Sequence, residues 1–282
     1  LNKSTLSKST VCAIVVTNNR KDRLRGCLDS LLRQTRPADR ILVIDNASTD
    51  GTRAMLDAEY PQVSKVSLKE YAGGAGGLVS GMRFAHCNKF DWIWTLDDSI
   101  EVRPECLETM LSFEGDGDLI QVQAGDSPAA GPRHTGSMPW TKTETCDFRA
   151  ALIGKKITEL AGLPDERYFN AGYDTAYGYV ASQKARSIVL SYAGVSRIAS
   201  DEPVRNRASF YLAVRNLFLN RDHLAKNGLS PRPYTFFMNA LSVLLSKLGE
   251  AAATQAHAAE NALAVIDGLR DGIHKKFDRL PR

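Results

Sequence analysis

A chain of 282 residues that is 43% hydrophobic and 24% charged has the apolar content for a full core, and wholesale disorder is excluded. Its length suits one large domain, or a domain with an appendage. The net charge of +4 is too mild to call for nucleic acid, yet it leaves room for phosphates or an anionic membrane surface. The five cysteines (Cys12, Cys27, Cys87, Cys106, Cys146) are odd in number and show no metal-ligand pairing, so they read as reduced thiols of a cytoplasmic protein. No apolar run approaches the ~20 residues needed to span a bilayer. Residues 1–10 lack the apolar core of a signal peptide and read as a loose tail.

Residues 11–16 form a short continuous apolar run, which suits a buried parallel strand. Asp22 to Gln34 follows as a helix with Leu24, Cys27, Leu28, Leu31 and Leu32 on one face, ended by Pro37. Ile41–Ile44 is a second strand, and Ser48–Tyr60 a helix capped by Ser48 or Thr49. Val63–Leu68 is a third strand, and Gly77–Cys87 a helix opened by the glycine run before it. Trp92–Leu96 is a fourth strand and Pro104–Phe113 a helix. This alternation predicts an α/β fold, a mostly parallel sheet flanked by helices. Further on, Leu119–Ala124, Phe148–Ile153 and Ile188–Tyr192 read as strands, Asp126–Pro139 as a loop, and Ile157–Ala161 and Ala176–Lys184 as helices. From Ala208 the pattern is helical: Ala208–Asn227, Tyr234–Leu248 and Ala251–Phe277.

In an open parallel sheet, ligands bind beyond the carboxyl ends of the strands. Thr17–Arg20, Asp45–Asp50 and Asp97–Ser99 all follow predicted strands and should gather at one edge. Asp45 is placed to accept hydrogen bonds from a base or ribose, whereas Ser48 and Asp50 could equally shape the turn before a helix. Gly73-Gly74-Ala75-Gly76-Gly77 lets backbone amides reach a diphosphate at a helix start, or is simply a flexible loop; it is neither a P-loop nor a GxGxxG fingerprint. Asp97 and Asp98 repel each other at a strand end unless a cation or donors neutralise them. A divalent ion there would steady a departing diphosphate.

Together these patterns resemble glycosyltransferase family 2, of the GT-A (Rossmann-like) fold, and within it the galactofuranosyl- and rhamnosyl-transferase-like branch. The residues that carry the resemblance are Thr17-Asn18-Asn19-Arg20, Asp45 through Thr52, Gly73–Gly77 with Gly81-Met82, and Trp92 through Pro104. It is specific over the first hundred residues and looser to about residue 220, through Phe148–Gly162, Tyr168–Tyr177 and the Tyr211–Asn216 helix. With the pattern of the chain it divides the sequence into a tail (1–10), a catalytic region (11–207, with the nucleotide side 11–104 and the acceptor side 105–207) and a helical C-terminal extension (208–282). The implied reaction is an inverting transfer from a nucleoside-diphosphate sugar, with UDP or dTDP as carrier, to a hydroxyl of a glycan, a lipid-linked sugar or a small molecule. Thr17, Asn18, Arg20, Asp45, Asn46, Ser48, Asp50, Gly73, Gly74, Ala75, Gly76, Gly77 and Asp97 are the implied donor residues. Asp97, Asp98 and Ser99 are the implied site for Mn2+ or Mg2+, weakly bound, and Asp174 the implied base.

The chain departs from the family pattern. Ser99 stands at the third metal-site position, Tyr173 before the base and Ala176 after it. No His falls in Ser191–Arg207, which instead carries Arg197, Arg205 and Arg207. The rival readings are a metal-independent transferase that uses arginines, and a non-catalytic subunit that binds nucleotide or glycan. Phe237, Leu241, Leu244, Leu245 and Leu248 recur at helical spacing, a face for docking on the catalytic region, for a homo-oligomer or for peripheral membrane contact.

Overall fold

The computed structural model describes residues 9–125, 140–197, 206–229, 233–254 and 257–278. Strand β1 (Val11–Thr17) lies between two other strands and is buried along almost all of its length. Its alternating side chains serve two cores: Val11, Ala13 and Val15 face one apolar cluster, Cys12 and Ile14 the other. Helix α1 (Lys21–Leu32) covers the first face with Leu24, Cys27, Leu28 and Leu31. β2 (Arg40–Asp45), α2 (Thr52–Glu59) and β3 (Ser64–Ser67) follow. Helix α3 (Gly73–Cys87) then covers the second face through Leu78, Met82 and Ala85, and leads to β4 (Trp92–Asp97).

The ladders β3–β2–β1–β4 are all parallel. Their register sets the position of the site: Thr17 pairs with Asp45, and Val16 with Asp97, so the polar ends of three strands fall on one edge. Beyond β4 the direction changes. β8 (Ala150–Gly154) lies antiparallel to β4 with Ala150 opposite Leu96, which brings residues 147–149 beside Asp97. β6 (Leu119–Gly125) and β9 (Ser187–Arg197) complete the main path, followed by β5 (Ile100–Val102), while β7 (Trp140–Lys142) pairs with β9. The remaining helices among the described residues are α4 (Cys106–Leu111), α5 (Lys155–Ala161), α6 (Tyr173–Lys184), α7 (Arg207–Lys226), α8 (Pro233–Ala252) and α9 (Ala258–Ile273), with a 3-10 turn at Glu166–Tyr168.

Several sequence expectations are corrected. α3 starts at Gly73, so the glycine run is the first turn of the helix rather than a loop before it. Neither Ser48 nor Thr49 caps α2: Gly51 holds the N-cap position in a left-handed conformation, and Asp50 Oδ1 accepts from the Thr52 amide at 3.0 Å. α6 begins three residues earlier than its apolar pattern suggests, because the left-handed Gly172 starts it. β5 and β7, three residues each, are too short to leave a periodic signal. The segment read as a loop, 126–139, lies outside the described residues.

α7 opens with a reciprocal cap between Asn206 and Ser209. Phe210, Tyr211 and Val214 of α7 pack with Ala264 and Val265 of α9, and the cluster reaches Phe169 and Ala171 of the segment before α6. Leu244 and Leu248 of α8 dock onto this cluster, whereas Leu241 and Leu245 remain exposed. The side chain of Phe237 lies outside the described ones. Among the described residues no helix is long and apolar enough to cross a membrane.

Candidate functional site

A cleft of about 380 Å3 opens at the carboxyl edge of β1, β2 and β4. One wall comes from the ends of the parallel strands and from α3: Thr17, Asn18, Arg20, Asn46, Gly74, Asp97 and Asp98. The other comes from the antiparallel half: Asp147, Phe148 and Arg149 ahead of β8, then Asn170, Gly172, Tyr173 and Asp174 at the start of α6.

Asp98 is buried and bound on both oxygens. Thr17 Oγ1 donates to Oδ2 at 2.7 Å, and Arg20 Nη1 to Oδ1 at 3.2 Å. Burial, with Asp97 beside it, pushes the Asp98 carboxyl up to about 6 despite these two donors. Asp97 Oδ1 accepts from the Ser99 amide at 2.9 Å and also from the Ser99 hydroxyl. Three of the four oxygens of the carboxylate pair are therefore committed to protein donors, Ser99 supplying both of those on Asp97. Among the described residues no group of three His, Cys, Asp or Glu side chains is placed to hold a metal. A hard divalent ion takes six or more oxygens. These residues would fit an ion that arrives with a diphosphate and takes Asp97 as its protein ligand, and do not fit one held by the protein alone.

Asn46 is the joint of the first wall. Its side chain donates to Gly73 O at 2.9 Å and accepts from the Ala72 amide at 2.9 Å; its carbonyl accepts from Asn18 Nδ2 at 2.8 Å. It thereby fixes the start of α3 to the ends of β1 and β2. Gly73 has φ +71°, and a Cβ there would meet Phe169 at 2.6 Å. At Gly77 a Cβ would lie 2.6 Å from Val16 Cγ1, so that glycine serves the close approach of α3 to β1. Of the run, Gly74 alone lines the cleft. Its amide donates to Asn170 Oδ1 at 2.7 Å, and the Ala75 amide to Phe169 O at 2.8 Å. The Gly74 and Ala75 amides thus tie the start of α3 to residues 169 and 170 in this structure.

Asp45, Ser48 and Asp50 do not line the cleft. Asp45 is buried and accepts from the Ser48 amide at 3.0 Å. Ser48 Oγ accepts from the Asn19 amide at 3.0 Å, and Asp50 Oδ2 from the Lys21 amide at 3.0 Å. All three shape the loops that carry Asn18, Arg20 and Asn46. Arg207 pairs with Asp267 at 3.5 Å, and the side chains of Arg197 and Arg205 lie outside the described ones.

Asp174 sits in the first turn of α6 and lines the cleft together with Asp97. Sequence reasoning passed over Arg149 and Asn170. Arg149 forks onto Asp147, with Nε 2.8 and 3.0 Å from its two oxygens. Its guanidinium is held charged first by that bond, with Asp97 and Asp174 adding to the effect. Asn170 bridges Gly74 and Tyr71. The signal for Arg149 was its place just before an apolar strand, but only antiparallel pairing with β4 brings it to the cleft.

The fold and the cleft define an α/β protein with its site at the strand ends, and comparison with known proteins places it. The sequence profile of glycosyl transferase family 2 matches residues 12–157, and the chain belongs to this family. It is 34% identical over 115 residues to galactofuranosyltransferase GlfT1 of Mycolicibacterium smegmatis, a match covering 40% of this chain and 37% of that one. To the GlfT1 of Mycobacterium tuberculosis it is 35% identical over 91 residues, covering 32% and 30%. The matches thus span only about a third of these relatives. The structure resembles Staphylococcus aureus TarS 1–349 in complex with UDP-GlcNAc, with a TM-score of 0.59 and 16% identity over 95% of this chain and 92% of that one. It also resembles the mannosyltransferase PcManGT of Pyrobaculum calidifontis in complex with GDP-Man and Mn2+, with a TM-score of 0.61 and 17% identity over 96% and 89%. These two likenesses are of fold.

Proposed function

We propose that the cleft binds a nucleoside-diphosphate sugar, with UDP or dTDP as carrier, and passes the sugar with inversion to a hydroxyl of a glycan, a lipid-linked sugar or a small molecule. The observation that carries this reading is the meeting of Asp97 and Asp98, from the end of β4, with Asp174, from the start of α6, in one cleft. Membership of the family supports it.

On this reading Asn18, Arg20, Asn46 and Gly74 form the donor wall, and Thr17 positions Asp98. The acceptor oxygen attacks the anomeric carbon as the bond from that carbon to the diphosphate oxygen breaks. The electron pair leaves with the diphosphate, and Asp174 takes the acceptor's proton. A single displacement inverts the anomeric centre. A divalent ion, when bound, supplies Lewis-acid neutralisation of the diphosphate, and Asp97 is the residue that would hold it. The metal-independent reading rests on Arg20, whose side chain is 41% exposed at the cleft.

Calorimetric titration with UDP, dTDP and GDP, in Mn2+ and in EDTA, tests the proposal. The expected result is saturable binding of UDP or dTDP, strengthened by Mn2+. No heat with any of the three overturns it. Binding without turnover on any sugar donor favours the partner-subunit reading, and equal affinity in EDTA favours the arginine reading.

A further inference from the structure

We propose that Asp147 and Arg149 form the platform that recognises the acceptor, and that the acceptor is a sugar or another polyol rather than an apolar aglycone. This rests on the transferase reading above, and it chooses among the acceptor classes which that reading leaves open.

The two side chains form a preformed, multiply hydrogen-bonded pair. Arg149 Nε donates to both oxygens of Asp147, and Nη2 donates to Oδ2. The pair stays partly open, the Arg149 side chain 44% exposed and that of Asp147 36%, and both residues line the cleft. Its backbone is anchored to the sheet. The Asp147 amide donates to Gln121 Oε1 at 2.7 Å, and Arg149 O accepts from the Asp97 amide at 3.3 Å. Phe148, between them, is buried and stacks on Tyr173 with ring centroids 5.7 Å apart. Tyr173 immediately precedes Asp174. The platform and the proposed base are thus braced against one another, on the wall opposite the donor residues.

A hydroxyl both donates and accepts. A guanidinium fork beside a carboxylate offers donors and acceptors in one plane, so adjacent hydroxyls of a sugar can bridge the pair. An apolar acceptor would strip water from both groups and return no hydrogen bond. A site built to hydrogen-bond a hydroxyl rejects an analogue lacking it by far more than an apolar pocket rejects a wrong shape. Asn170 and the Tyr173 hydroxyl add polar groups on the same wall.

The test is acceptor kinetics with a panel of methyl glycosides and, as the apolar counterpart, cyclohexanol. Arg149→Lys keeps the charge and loses the fork, while Asp147→Asn keeps the shape and loses the charge. Each is expected to raise the acceptor KM by about tenfold or more, while the donor KM stays within about twofold and the melting temperature stays near wild type. Wild-type acceptor KM in Arg149→Lys overturns the platform. Preference of the wild-type enzyme for cyclohexanol overturns the acceptor class. If no nucleotide sugar reacts with any acceptor or with water, the transferase reading itself fails, and this inference fails with it.

Discussion

The side-chain amide of Asn216 donates to the carbonyl of Ala171 at 2.7 Å and to that of Tyr168 at 2.9 Å. A residue of α7 thereby holds the segment that carries Asn170, and beyond it Asp174, against the cleft. Asn216→Ala leaves both carbonyls and the Arg215 guanidinium short of a buried partner, at a cost of about 2–3 kcal/mol. Thermal unfolding should register that loss. Turnover should fall with it, while donor affinity, which we assign to the other wall, changes little; an unaltered melting temperature would contradict the role.

Asp174→Asn is expected to cut turnover by about 10²-fold or more, the scale of a lost general base. Donor affinity should remain near wild type, since Asp174 lies on the wall we assign to the acceptor. Single-turnover rates beside calorimetric donor binding check this. Normal turnover in the variant would move the base to another carboxylate of the cleft, Asp147 first.

Asp98 contributes a pH dependence of known sign. Its carboxyl is pushed up from 3.8 to about 6, so the folded chain binds its proton more tightly than the unfolded chain does. The stability this provides is fully present below pH 4, is lost as the pH rises to about 6, and stays lost above. The whole span is on the order of 3 kcal/mol at most. Asp98→Asn should remove this part of the slope and be no less stable than wild type at pH 8, yet transfer sugar poorly. Urea unfolding of both proteins at pH 5 and pH 8 measures the difference.

Gly74 and Gly77 should separate binding from stability. A Cβ at Gly77 would press on Val16 at 2.6 Å, so Gly77→Ala should cost about 1–3 kcal/mol through overpacking. At Gly74 the nearest atom to a Cβ is Tyr173 Oη at 3.1 Å, inside the cleft. Gly74→Ala should weaken the donor or acceptor KM more than it lowers the melting temperature. A reversed order of effects in denaturation and kinetics would reassign the run.

The parallel half of the fold was legible because buried strands such as residues 11–16 and Trp92–Leu96 are nearly unbroken apolar runs, and polar residues able to bind a ligand follow each one. The roles within those polar loops were not legible. Asp45 and Asp50 could contact a nucleotide or their own backbone, and only the loop geometry shows the backbone contacts. The glycine run gave the same difficulty, since its composition suits a phosphate loop and a tightly packed helix face equally. The second wall left still less trace: Arg149 reaches the cleft through an antiparallel pairing of β4 with β8, and hydrophobic periodicity carries no strand direction.

Arg215 is fully buried, and its guanidinium donates to Phe277 O at 2.9 Å and also to Arg167 O. Residues more than a hundred positions apart in sequence thus meet on one side chain, just behind the wall that carries Asp174. In any chimera that grafts the acceptor-side residues onto a relative, α7 and the segment after α9 should travel with them as one cassette. A graft of residues 147–174 alone would arrive without its buttress, and a mismatch at Phe277 would be felt as a misplaced Asp174.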